Sequence, residues 1–135
     1  MIVNIRNNSL INNECFYTPK GKESAKAILS AIEKGRSIIL LIDQKDTAGN
    51  QIDFFGYKVK TQTGFLKIAK KNNLKLIPVQ CIREHNNNFK IIFHSSIKLL
   101  KENDENKDML EIHKIVENWI NENPQQWLWQ HKRFS

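Results

Sequence analysis

Ser37-Ile38-Ile39-Leu40-Leu41-Ile42-Asp43-Gln44 is the stretch on which the fold class turns. Every position from 38 to 42 is apolar. A strand with one wet face alternates, whereas a run without alternation marks a strand covered on both faces, as in a parallel sheet between helices. Just upstream, Ala25, Ile28, Leu29 and Ile32 recur at helical spacing from Lys22 onward. Gly35 is placed to end that helix in a left-handed conformation. Residues 1–21 are polar and irregular, with Asn at positions 4, 7, 8, 12 and 13.

Downstream, Asp43 to Lys60 contains Ala48-Gly49-Asn50 and Phe54-Phe55-Gly56-Tyr57 and reads as a long ordered loop. Gln62 to Asn73 carries a helical stripe through Phe65, Leu66 and Ala69. Leu74 to Arg83, with Pro78, reads as a second buried strand and Phe89 to Phe93 as a third. The polar turn Glu84 to Asn88 joins them, which predicts an antiparallel hairpin at a sheet edge. Residues 101–108 form a charged loop. Met109, Ile112, Val116, Trp119 and Ile120 mark another helix, stopped by Asn123-Pro124, and Pro124 can open a short terminal helix. The order of elements predicts one α/β domain over residues 1–135, with a mixed, mostly parallel sheet flanked by helices.

Composition narrows the function classes. Hydrophobic content of 40% and charged content of 26% over 135 residues suit one soluble globular fold with its own core. The run 38–42 is far too short to span a bilayer. Met1-Ile2-Val3-Asn4 lacks a charged region followed by an apolar one, so no secretory leader is expected. The net charge of +7 favours anionic partners, although a lysine-rich surface is the plainer account. No nucleic-acid-binding motif accompanies that charge, so no nucleic acid partner is expected. Cys15 and Cys81 lack CxxC spacing and imply neither zinc nor a disulfide framework. Cys81, in an apolar run, reads as a small buried residue.

Asp43-Gln44 closes the predicted strand, and the carboxyl edge of an open α/β sheet is where ligands and catalytic groups gather. A carboxylate there can orient a cation or a hydroxyl; the plainer reading is a turn-capping aspartate. Of the four histidines, His85 sits in a polar turn, His94 closes a strand, and His131 lies in the terminal tail. His113 has Glu117 one turn further on, the best local His–carboxylate pair, a geometry that helix surfaces make routinely.

Several segments, taken together and in order, resemble the lipid A biosynthesis acyltransferases, the lauroyl/myristoyl transferase family of Gram-negative bacteria. These are Ile5-Arg6-Asn7-Asn8-Ser9-Leu10-Ile11-Asn12, Leu41-Ile42-Asp43-Gln44, and Ile52-Asp53-Phe54-Phe55-Gly56 followed by Thr61 and Thr63. Leu76-Ile77-Pro78-Val79-Gln80-Cys81-Ile82-Arg83, Glu117-Asn118-Trp119-Ile120, Pro124-Gln125-Gln126-Trp127-Leu128-Trp129 and His131-Lys132-Arg133 complete the set. Asp53 and Ser9 stand where the family usually has proline, and no arginine occurs between Asn12 and Pro19, where the family carries one. The family's Asn-His-x4-Asp/Glu motif does not occur among the 135 residues.

The resemblance implies a glycerolphosphate-acyltransferase-like domain, here its carboxyl-terminal part. The implied reaction moves a fatty acyl chain from acyl carrier protein to a lipid A precursor at the cytoplasmic face of the inner membrane. It calls for no metal and no other cofactor. Asp43 is the expected catalytic, orienting carboxylate, with Arg6, Gln44, Arg83 and Arg133 as substrate-binding residues. Acyl transfer to a hydroxyl needs a base, usually an imidazole held by a carboxylate, so the chain alone is expected to be inactive. A complementing amino-terminal half is the partner that reading calls for, and in this form the association with an anionic membrane surface is peripheral. Trp127 and Trp129 are expected either to pack on the sheet or, beside Lys132 and Arg133, to anchor at that surface.

Overall fold

The helix from Lys22 to Glu33 (α1) ends as its sequence predicts. Gly35 takes φ +66°, its N–H reaches the Ile32 carbonyl at 2.9 Å, and the Arg36 N–H reaches that of Ala31 at 2.9 Å. This pair of bonds satisfies carbonyls the helix end leaves open. The structure is a computed structural model and describes residues 22–100, 104–129 and 132–134. The chain divides into two compact units, residues 1–40 and 41–135.

The predicted strand at 37–42 does not form. Residues 36–42 have no regular secondary structure and pair with no strand among the described residues. Ile39 is 92% exposed and Leu41 75%. An apolar run states a demand for burial, but a strand also needs a neighbour to take its N–H and C=O groups. The mostly parallel, helix-flanked sheet is therefore corrected. Among the described residues there are two separate two-stranded sheets, both antiparallel.

The first sheet lies within the stretch expected to be a loop. Strands β1 (Asn50–Phe54) and β2 (Tyr57–Thr61) pair Ile52 with Val59 and Phe54 with Tyr57. Alternation makes the hairpin: Ile52, Phe54, Val59 and Thr61 point inward, while Gln51, Lys58 and Lys60 point out. Its two-residue turn, Phe55-Gly56, has positive φ at both positions (50° and 78°), which matches the right-handed twist of the strands. Glycine does this freely and phenylalanine does not. The Phe55 N–H is held at 2.6 Å by the Glu117 carboxylate, which reaches over from the last long helix. Gly49 is needed for a different reason, since a Cβ there would collide with the Thr61 backbone.

Helix α2 (Gly64–Lys71) buries Leu66 and Ala69. The second hairpin, β3 (Val79–Arg83) and β4 (Phe89–Phe93), is antiparallel as predicted, and its turn uses positive φ at Asn86 and Asn87. Its first strand starts at Val79 rather than Leu74, and the pair is a sheet of its own, not the edge of a larger one. Its burial does not follow prediction. Val79, Phe89, Ile91 and Phe93 are exposed on one face, and Cys81 beside them is exposed rather than buried. Helix α3 (Glu105–Glu122) begins inside the expected charged loop, because the Asp104 side chain caps the N–H groups of Asn106 and Lys107, each at 3.1 Å. A single 3-10 turn, Pro124–Gln126, follows it.

Within the unit of residues 41–135 the core has two parts. Ile52, Leu66, Met109 and Ile112 form one, joined by Ile42, Leu76 and Ile97. Phe54, Val59 and Ile120 form the other, with Val116 and Trp127 against them. Helix α3 thus lies along the inner face of the first hairpin and carries the residues that build the site.

Candidate functional site

Residues 132–134 close on the first hairpin through Arg133 and through Phe134, whose ring lies 5.9 Å from that of Phe54 and 5.7 Å from that of Tyr57. Arg133 is only 2% exposed. Its Nη1 donates to the carbonyls of Gln44 (3.0 Å) and Lys60 (2.6 Å), and Nη2 donates to Thr61 Oγ1 at 2.6 Å. The guanidinium also stands 5.6 Å from the centre of the Phe54 ring. One fork of donors therefore ties together the loop after Asp43, strand β2 and the tail. Burial lowers the Arg133 pKa and the nearby Asp43 carboxylate raises it, but a guanidinium stays charged.

Thr61 and His113 lie beneath that fork, both almost fully buried. His113 Nδ1 is 2.7 Å from the Asp53 carbonyl, which can only accept, so this nitrogen carries the proton. Nε2 is then the acceptor. It faces the Thr61 hydroxyl at 3.2 Å and Arg133 Nη2 at 3.4 Å. The Thr61 oxygen accepts from Arg133, so its own proton points at His113. A hydroxyl beside an imidazole is the arrangement of an activated nucleophile. Here Arg133 seals the hydroxyl from above and the Phe54 ring packs against the imidazole, tilted by 57°, with centroids 4.8 Å apart. The arrangement is a buried network that holds the tail down.

Burial is the largest influence on His113 and lowers its pKa below the ordinary 6.5. The Asp53 carbonyl bond raises it, Arg133 lowers it, and Glu117 and Asp53 raise it. The sign for stability follows: above pH 6.5 the imidazole is neutral folded and unfolded, and the network is intact. As pH falls below 6.5 the unfolded chain takes up a proton that the folded chain refuses, so stability declines toward the lowered folded pKa. The urea midpoint should fall between about pH 7.5 and about pH 5.5, and His113→Gln should flatten that part of the profile. An equal slope in both proteins would remove His113 as the cause.

Asp43 is half-buried, and its Oδ2 accepts the indole N–H of Trp127 at 3.1 Å. Trp127 packs on Phe54 (5.8 Å) and Trp129 (4.7 Å), so it packs on the sheet as one of its two readings expected. Trp129 is 55% exposed, with its indole N–H on the Pro124 carbonyl at 2.6 Å.

Of the predicted site residues, Asp43, Gln44 and Arg133 come together, Gln44 through its backbone carbonyl and not its amide. Arg83 lies on the other sheet. There Gln126 takes its backbone N–H at 2.7 Å and donates to its carbonyl at 3.1 Å, and its guanidinium lies 5.8 Å from the Phe89 ring centre. Arg6 and His131 lie outside the described residues. The His113–Glu117 pair is replaced by two longer-range contacts, His113 to the hairpin backbone and Glu117 to the Phe55 N–H. Thr61 was not singled out by the sequence as a site residue. Its signal is a threonine at an inward position of a strand, visible only once the hairpin is known. Among the described residues no group of His, Cys, Asp and Glu could hold a metal ion, and no helix is long and apolar enough to cross a membrane.

No curated protein matches the chain. The family model described as bacterial lipid A biosynthesis acyltransferase matches residues 11–135, which spans the loop after Asp43, the first hairpin, α3 and the Arg133 tail. The chain belongs to the bacterial lipid A biosynthesis acyltransferase family.

Proposed function

We propose that the chain forms the carboxyl-terminal part of an enzyme that moves a fatty acyl chain from acyl carrier protein to a hydroxyl of a lipid A precursor. It works at the cytoplasmic face of the inner membrane. The observation that carries this reading is the family match over residues 11–135. The Asn-His-x4-Asp/Glu base motif is not among these residues, and the buried His113 cannot meet a substrate hydroxyl, so proton removal is assigned to residues other than these. The role left to this chain is positioning. Asp43, its carboxylate bonded by the Trp127 indole N–H and lying near Arg133, is the residue assigned to that positioning.

A second reading, a module that docks on a complementing polypeptide, has its own support. Ile39 and Leu41 are exposed in an apolar run without a strand partner among the described residues. The two readings share one experiment. Purified 135-residue protein should transfer no laurate from acyl carrier protein to a lipid A precursor. Addition of a polypeptide carrying the family's amino-terminal half should restore transfer, and Asp43→Ala should then lower the rate by about tenfold or more. Transfer by the chain alone would refute the positioning role. Stable binding of the amino-terminal half without transfer would leave the docking module as the function.

A further inference from the structure

The outer face of the β3–β4 sheet carries a row of exposed apolar side chains. Opposed residues of an antiparallel pair share a face, so Val79 with Phe93, Cys81 with Ile91, and Arg83 with Phe89 all point the same way. Phe93 is 73% exposed, Phe89 and Ile91 60% each, and Val79 47%. Ile77, just before the strand, is 52% exposed. Alternate positions turn inward at Gln80, Ile82 and Ile92, which are buried or half-buried. At about 150–250 Å² for a phenylalanine and somewhat less for an aliphatic residue, the outer row exposes roughly 500 Å² of apolar side chain. That area lies at the upper end of the patches a monomer carries, where interaction surfaces are found.

We infer that a second copy of this chain covers the face, the two hairpins packing sheet on sheet across a two-fold axis. Two copies would bury about 1,000 Å² together, the lower bound of a specific interface. Charge selects the same occupant. Each copy carries a net charge of +7, so copies approach best where charge is sparse, and Arg83 is the one charged residue among the six paired ones. A bilayer surface fits less well, because those six include no tryptophan or tyrosine and only that one cation. Edge-to-edge pairing is hindered at Arg83, whose backbone N–H and carbonyl both bond the Gln126 amide. Pairing of copies requires neither an acyl donor nor a base.

Antiparallel alignment of the two hairpins keeps the like charges apart. It sets the two Arg83 residues four strand steps from each other, about 13 Å, which exceeds the Debye length at physiological salt. The axis then passes by Cys81 and Ile91, at the middle of each strand, and each of them faces its own copy. Sheets stacked face to face stand about 10 Å apart. That separation is too wide for a disulfide between the Cys81 thiols, and a short bismaleimide can span it.

Sedimentation velocity of the full chain from about 1 to about 200 μM tests the pairing. A monomer–dimer equilibrium is expected, with a dissociation constant on the order of 10 μM. It should tighten about threefold as sodium chloride rises from about 50 to about 500 mM, because salt screens the repulsion between copies. Ile91→Lys should weaken the dimer by more than about tenfold, with the thermal midpoint of the dilute monomer unchanged. Ile39→Ser, at an exposed apolar site elsewhere, should leave the dimer as it is. In a Cys15→Ser background the bismaleimide should join Cys81 to Cys81, and Ile91→Lys should abolish that product. A monomer at every concentration, a dimer that salt weakens, one untouched by Ile91→Lys, or one without the Cys81 cross-link would overturn the proposal. So would a monomer that binds phosphatidylcholine–phosphatidylglycerol vesicles and loses them with Ile91→Lys, which would assign the face to a bilayer.

Discussion

Arg133→Ala is expected to lower the unfolding free energy by about 3 kcal/mol, a large share of what a domain of this size has to spare. The side chain is 2% exposed and makes three hydrogen bonds to uncharged acceptors. Hydrogen bonds to a charged group contribute roughly 1.5–3 kcal/mol each, but not additively. The Gln44 carbonyl belongs to an exposed residue and can recover water. Thr61, at 0% exposure, cannot, and neither can Nε2 of His113 beneath it. Those groups and the lost contact with Phe54 set the size of the effect. Arg133→Lys should recover less than half, because one ammonium cannot span acceptors on the 44–46 loop and on β2 together. Urea unfolding followed by tryptophan fluorescence reads both variants. A loss under about 1 kcal/mol for the alanine variant would mean that residues 132–134 close on the hairpin without holding it.

Such a residue is hard to recognise from the sequence. Arg133 reads as a substrate contact because it follows two tryptophans at a family signature. Its bonds instead reach residues 89 and 73 positions away in the chain. Local patterns do carry the local elements: the stripe in α2, the apolar spacing of α3, the Gly35 stop and the Asn-rich turn between β3 and β4. Each depends on a period or turn preference acting within one stretch.

The first hairpin escapes that logic. Its turn places phenylalanine where asparagine or aspartate is the usual signal, and Glu117, 62 residues on, holds the strained N–H. The run at 38–42 fails for the opposite reason. Its pattern is strong, but the pairing strand that would make it part of a sheet is a long-range fact. Asp43 is intermediate: its carboxylate was legible as a site candidate, while its partner Trp127, 84 residues away, was not. For Asp43 and Arg133, residue type and position marked candidates, and only contacts distant in sequence show what each side chain touches.

Asp108→Ala should cost about as much as the loss of Arg133, by a different route. Its carboxylate is 1% exposed in the first turn of α3, with Oδ2 2.6 Å from Lys70 Nζ of α2 and Oδ1 accepting the Leu100 N–H at 2.8 Å. The Lys70 side chain is itself only 14% exposed. Removing one member of a buried pair leaves the other ion desolvated beside apolar neighbours, which costs about 3–5 kcal/mol when burial is complete. The partial access of Lys70 to water places the expected loss near the low end, about 3 kcal/mol.

Asp108→Asn separates the contributions. The amide oxygen can keep the Leu100 N–H, so what is lost is the charge opposite Lys70 and at the helix N-terminus. The asparagine variant should therefore fall between wild type and alanine. Replacing both partners, Lys70→Met with Asp108→Leu, should recover most of the loss, since an apolar pair in such a setting is often as stable as the ionic one. Equal losses for the asparagine and alanine variants would place the whole effect in the charge. No recovery in the double variant would show that the Leu100 N–H, left unsatisfied in both, decides the stability of this corner.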